Sequence, residues 1–223
     1  MSRGGGSQPR FTIGRNRLRD IRTKGNQMQT MTTIENVIRD AIKGRKVIVL
    51  RGVSGSGKST IAQRIFDAAA AKGEEQHAAI VSADQYFIDA DGVYRFDPSM
   101  LGEAHGECLR TFTDLLTTLD ESIKEAVIIV DNTNTTTVEC APYMALASAY
   151  GWRASMVTID IDPRKAALRN VHGVSEETVD AQFTRIKYDD AKLPPFWDCI
   201  TLYPGSTLPK VVRAVPSVEQ EVR

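Results

Sequence analysis

The chain has 223 residues, 42% of them hydrophobic and 25% charged, which is ordinary for a soluble globular protein with one sizeable core. No apolar run reaches membrane-spanning length, no signal-peptide core follows the start, and Cys108, Cys140 and Cys199 are too few and too scattered for a disulfide framework or a paired-cysteine metal site. Basic and acidic residues number 28 each, so the formal net charge is zero, and the thiol usage points to a reducing cytoplasm, bacterial or that of a phage-infected host.

That zero hides an uneven spread. Residues 1–31 hold Arg3, Arg10, Arg15, Arg17, Arg19, Arg22 and Lys24 against Asp20 alone, a net +6 that leaves −6 for residues 32–223. Glycine and polar residues fill the rest of this segment, so it reads as a basic, disordered arm. Three readings fit it: contact with a nucleic-acid backbone through counterion release, an organelle transit peptide, or a leader ahead of a start at Met28 or Met31. The folded domain is expected over residues 32–208, with a loose tail over 209–223.

Thr32-Thr33-Ile34-Glu35 fits a capping box, and Ile34, Val37, Ile38 and Ile42 then line one face of a short helix that Gly44 ends. Lys46–Leu50 is a β-branched run suited to a buried parallel strand. After a glycine-rich loop, Ile61, Ala62, Ile65 and Phe66 recur at helical spacing. A second strand is expected over 78–82, a helix over 99–119, and the clearest buried strand over 126–131. A helix over 138–150 and a strand over 154–159 follow. Asp162-Pro163 opens another helix with a cap and a first-turn proline. Gly173-Val174-Ser175-Glu176-Glu177 breaks it and caps the next, which runs to about Lys187. Leu193-Pro194-Pro195 stops that helix ahead of a last strand over 199–202. Alternating strands and helices predict an α/β protein with three layers, its central, mostly parallel sheet wrapped on both faces.

The loop between the first strand and its helix is Gly52-Val53-Ser54-Gly55-Ser56-Gly57-Lys58-Ser59-Thr60, a match to G-x-x-x-x-G-K-[ST] in its proper strand–loop–helix setting. The glycines let several backbone N–H groups converge on one phosphate, and the helix N-terminus adds partial positive charge. Lys58 would reach the β- and γ-phosphates of ATP and the Ser59 hydroxyl would ligate Mg²⁺. Such a chain binds a nucleoside triphosphate.

In a sheet of this kind ligands sit beyond the carboxyl ends of the strands. The second strand delivers Ser82-Ala83-Asp84-Gln85-Tyr86 there, and the third delivers Asp131-Asn132-Thr133-Asn134. Asp131 suits a metal-holding carboxylate, with a turn aspartate as the alternative. Asp84 is then free to take the proton of an alcohol acceptor, with a cap on the following turn as the alternative. Arg164, Lys165 and Arg169 share a short helix, with His172, Arg185 and Lys187 beyond, in the manner of a lid that closes over a triphosphate. Arg169 is the favoured lid contact, because Asn170, His172 and Gly173 follow it where a hinge would be. His105 is a candidate acceptor contact or a plain helix-surface histidine.

These residues together resemble the P-loop kinases of the polynucleotide 5′-hydroxyl kinase group and their standalone relatives in phages and animals. The matching segments are Gly52–Thr60, Ser82–Tyr86, Asp131–Asn134, Tyr150-Gly151-Trp152 and Arg169–Val174, spread over about residues 46–190. The resemblance implies a P-loop NTPase fold with a helical lid, Asp84 as general base, Lys58 and Ser59 serving ATP and Mg²⁺, and a lid arginine on the phosphates. It also departs from the group. Phe87 stands where polynucleotide kinases carry an arginine for the acceptor's phosphate, and no phosphatase domain follows. Another branch of such kinases phosphorylates 5-hydroxymethyluracil in phage DNA, and this acceptor is the favoured expectation, with the polynucleotide 5′-hydroxyl as the alternative. Tyr86 or Phe87 would then stack on a flipped base, unless both are core residues. A nucleoside kinase and a noncatalytic, nucleotide-dependent adaptor are the rivals.

Overall fold

The computed structural model describes residues 33–73, 76–119, 122–171 and 173–204. The basic arm over 1–31, the tail over 209–223 and His172 lie outside the described residues. In chain order the elements are α1 (Ile34–Ala41), β1 (Arg45–Arg51), α2 (Lys58–Ala70), β2 (Gln76–Val81), α3 (Leu101–Thr118), β3 (Glu125–Asp131), α4 (Thr137–Ala149), β4 (Arg153–Ile159), α5 (Pro163–Arg169), α6 (Glu176–Asp189) and β5 (Asp198–Leu202).

The five strands form one sheet in the order β2-β3-β1-β4-β5, every neighbouring pair parallel. β1 lies at its centre, with Val49 in register with Val130 on one side and Met156 on the other. Its side chains alternate between two cores. Val47 and Val49 pack with Phe112, Met144 and Trp152, while Ile48 and Leu50 pack with Ile61, Ile65 and Ile129. That double burial is why the strand reads as an unbroken apolar run, each such side chain contributing roughly 1.5–3 kcal/mol. The three-layer α/β architecture expected from the sequence is the one present.

A smaller third cluster does something else. Val53 of the phosphate loop packs with Ile161, Ala166, Val179 and Ile186, which seats α5 and α6 on the loop itself. The approach is close at Gly55 (φ +76°), where an added Cβ would lie 2.1 Å from the Ala166 carbonyl oxygen. Only glycine fits there.

Two helix starts differ in detail from the sequence reading. α1 is capped by Thr33, whose hydroxyl accepts from the Asn36 N–H at 3.3 Å, one residue later than a box built on Thr32 and Glu35. The reciprocal capping box sits instead at Thr136 and Glu139, heading α4.

Candidate active site

The phosphate loop joins β1 to α2, with Gly57 in the left-handed region (φ +96°) as the helix N-cap and no side chain capping the first turn. Those first-turn N–H groups are thereby left for an anion. Lys58 is buried and its ammonium donates to the Val53 carbonyl oxygen at 2.9 Å. Burial pulls its pKa from 10.5 down to about 8, against the opposing charges of Asp131 and Asp84. Ser59 and Thr60 follow, exposed, in the first turn of α2.

The segment after β3 braces this loop. The Gly52 N–H donates to the Thr133 carbonyl at 3.0 Å, and Asn134, in the left-handed region at φ +47°, donates its amide to the Leu50 carbonyl at 2.7 Å. Asn132 accepts from the Ala83 N–H at 2.8 Å, tying the ends of β3 and β2 together. Of the four residues Asp131–Asn134, only half-buried Asp131 is placed to act on Lys58 through its charge; the other three hold backbone.

Asp84 lies in a short 3₁₀ helix, Ala83–Phe87, whose cap is Ser82, its hydroxyl accepting from the Asp84 N–H at 3.2 Å. The capping role considered for Asp84 therefore belongs to its neighbour. The exposed Asp84 carboxylate accepts instead from the Tyr94 hydroxyl at 3.3 Å and lines a cleft of about 540 Å³. Tyr94, Phe96, Leu101 and His105 form the wall on its side. Thr178, Gln182 and Arg185 of α6 form the other wall. Gln182 clasps the phosphate loop: its carbonyl accepts from the Ser54 N–H at 2.8 Å and its amide donates to the Ser54 hydroxyl at 3.3 Å. Arg185 donates to the Thr135 hydroxyl at 3.3 Å, and that hydroxyl donates on to Glu139.

The lid helices are fixed by a buried ion network. Arg51, fully buried, donates to Asp189 at 3.2 Å and Asp190 at 2.9 Å, and to the carbonyls of Thr135 and Ile186 at 3.2 Å each. Asp189 also accepts from the N–H and hydroxyl of Thr137. The last residue of β1 thus pins the C-terminal end of α6.

A family model described as an AAA domain matches residues 47–192. The chain belongs to this family. NEDD4-binding protein 2 from Homo sapiens is 32% identical over 163 residues, which make up 70% of this chain and 8% of that protein. Among solved structures, the AvrRxo1-ORF1:-ORF2 complex with ATP gives a TM-score of 0.52 at 18% identity, covering 76% of this chain and 58% of that one. The Pnkp1/Rnl/Hen1 RNA repair complex gives 0.52 at 16% identity, covering 78% of this chain and 49% of that one. The chain thus spans a small fraction of the curated relative and about half of the similar solved chains. At those identities the likeness is one of fold, a P-loop NTPase-like α/β fold.

Within this AAA domain the sequence-derived candidates fall into two groups. Lys58 lies within electrostatic reach of Asp131 and Asp84, Ser59 follows it in the first turn of α2, and Asp84 and His105 line the cleft. Arg169 is exposed at the end of α5 and is not among the residues lining the cleft, whereas Arg185 is. Phe87 is buried, packed edge-on against Tyr94 and Phe96, and so is a core residue and no stacking platform. Tyr86 turns its hydroxyl to Glu103 and lines a separate recess of about 130 Å³. The aromatic rings at the cleft are Tyr94 and Phe96, stacked at 6.4 Å with 12° between planes.

A P-loop site of this kind would take Mg²⁺, with exposed Ser59 in the first turn of α2 and half-buried Asp131 at the end of β3 as the chain's own donors. No cluster of three or more His, Cys, Asp or Glu among the described residues could hold a metal by itself. The Ser59 hydroxyl and Asp131 carboxylate would therefore hold it together with phosphate oxygens of ATP, where it would neutralise charge on the γ-phosphate.

Proposed function

We propose that the chain is an ATP-dependent kinase that phosphorylates a hydroxyl carried on a nucleic-acid base, the hydroxymethyl group of 5-hydroxymethyluracil in DNA being the favoured acceptor. The observation that supports this most is the asymmetry of the cleft. Its α6 wall carries Arg185, which is held at Thr135 and lies three residues beyond the Gln182 that contacts Ser54, while its acceptor wall is made of Tyr94, Phe96, Leu101 and His105, with no lysine or arginine among these lining residues. A 5′-terminal nucleotide would bring a phosphate that needs a cation. A base brings a π-face, which stacked aromatics suit. In this reading the acceptor hydroxyl gives its proton to Asp84 as its oxygen bonds to the γ-phosphorus. The bond from that phosphorus to the β-phosphate oxygen breaks, and ADP leaves. Lys58 and Arg185 stabilise the charge on the transferring group.

Incubation with γ-labelled ATP and three DNAs tests it: one containing 5-hydroxymethyluracil, one unmodified with a 5′-hydroxyl, and one unmodified with a 5′-phosphate. Label is expected in the first alone. Label at the 5′ end of the 5′-hydroxyl DNA would make the protein a polynucleotide kinase instead. Label in none would leave a small-molecule kinase or a nucleotide-dependent adaptor. With the labelled acceptor in hand, Asp84→Asn should lower kcat by ~10²–10⁴ while ATP affinity survives.

A further inference from the structure

Between Phe87 and Pro98 the chain makes an excursion that neither strand nor helix accounts for. Asp89 organises it: its backbone N–H donates to the Val93 carbonyl at 3.0 Å, and its carboxylate accepts from the Asp91 and Val93 N–H groups at 3.0 and 2.9 Å and from Arg95 at 2.6 Å. Ile88 and Tyr94 then pair as an antiparallel bridge, and the Arg95 N–H returns to the Phe87 carbonyl at 2.7 Å. Most of the residues so ordered are exposed, so the turn buries little for itself. What it does is carry Tyr94 back over the 3₁₀ helix, where the ring is held by Phe87 and Phe96 and the hydroxyl meets Asp84.

We propose that Tyr94 is a positioning residue for phosphoryl transfer, its hydroxyl fixing one oxygen of the Asp84 carboxylate so that the other takes the acceptor's proton. This rests on the kinase reading above, which uses the Tyr94 ring, and gives the Tyr94 hydroxyl a role that reading does not assign. Asp84 is an exposed aspartate on a one-turn helix whose cap is Ser82; Lys58 acts on its carboxylate through charge, and the Tyr94 hydroxyl holds it by a directional hydrogen bond. The phenol serves as a permanent donor, since burial and the Asp84 charge push its pKa up to about 12. At 3.3 Å the bond is longer than the usual ~2.8 Å for O–H···O, so it acts as a tether on orientation and leaves the carboxylate free to accept a proton.

The test is a steady-state cycle on the full chain with Tyr94→Phe, Tyr94→Ala, Asp84→Asn and the Asp84→Asn/Tyr94→Phe double variant, using whichever acceptor the labelling assay returns. Tyr94→Phe keeps the ring, so Tm, ATP affinity and acceptor KM should hold within about twofold while kcat falls roughly 10-fold, the size of one hydrogen bond to a charged group. Tyr94→Ala should add a rise in acceptor KM of roughly 5-fold or more from lost stacking. In the Asp84→Asn background Tyr94→Phe should cost nothing further. Wild-type kcat in Tyr94→Phe, or the same loss with and without Asp84, would overturn the positioning role and leave the kinase reading intact. A wild-type protein that labels no acceptor would remove both.

Discussion

Lys58 offers the sharpest quantitative test of the nucleotide site. Its pKa is about 8 in the folded protein against 10.5 for an ordinary lysine, because the ammonium is taken out of water faster than Asp131 and Asp84 compensate. A difference of about 2.5 in pKa, at 1.36 kcal/mol each, is about 3 kcal/mol. The sign follows from a base whose folded pKa is depressed: its charged form is penalised on folding. Stability is therefore greatest above pH 10.5, falls as pH drops toward 8, and is flat below. A triphosphate brings several negative charges to the ammonium and restores its pKa, so above pH 8 binding must take up a proton. With non-hydrolysable ATP, calorimetry on the intact protein should show Kd weakening by less than about twofold from pH 7 to 8. From there Kd should weaken toward tenfold per pH unit, reaching roughly 30-fold by pH 9.5, with about 0.9 proton taken up at pH 9. Lys58→Met should abolish both the slope and the uptake and raise the Tm of the nucleotide-free protein. A Kd flat through pH 9.5 with no proton uptake would refute the placement of Lys58 against phosphate.

The other two perturbations address the lid. Arg51→Met leaves Asp189 buried without its cation and should cost about 3–5 kcal/mol in urea unfolding, partly recovered by adding Asp189→Asn; a loss under about 1 kcal/mol would mean the network is solvated. Arg185→Ala should lower kcat ~10²-fold with Arg169→Ala within about threefold of wild type in the same kinetic assay, and the reverse order would put the tip of α5 in the site.

The sheet and its order of elements were legible because the inner strands β1 and β3 are buried on both faces and so read as plain apolar runs, and because Gly44, Gly173 and the prolines at 163, 194 and 195 punctuate the chain. Local grammar placed α5 and α6 through their Asp162 and Ser175 caps. It misplaced the α1 cap by one, since two adjacent threonines offer two registers for one box. What it could not reach was pairing across the chain. Arg51 reads as a charge at the end of a buried strand, a contradiction until Asp189 and Asp190 arrive from the far end of α6. Tyr94 and Phe96 sit in a segment with no periodicity, and their sole cue was two rings at i, i+2 between Gly92 and Pro98. The general-base candidate was readable from its motif; the side chain that orients it was not.

The lid's anchorage changes where motion must enter. A basic helix pair late in a P-loop chain reads as a cover that swings over the triphosphate, yet here Val53 and Gly55 of the loop are packed directly against it. Arg51 adds a buried tie at the C-terminal end of α6, and Gln182 another at Ser54. Opening α6 would expose the Asp189 charge cluster and an apolar cluster together, so the nucleotide wall is preorganised. The acceptor wall is built differently: its excursion from 88 to 97 rests on three aromatic contacts and one aspartate-centred turn, most of it exposed. A segment so lightly held is the cheaper one to displace. The phosphate loop and α6 are thus the better-anchored side of the cleft, and the side chain that meets Asp84 arrives on the less buried one.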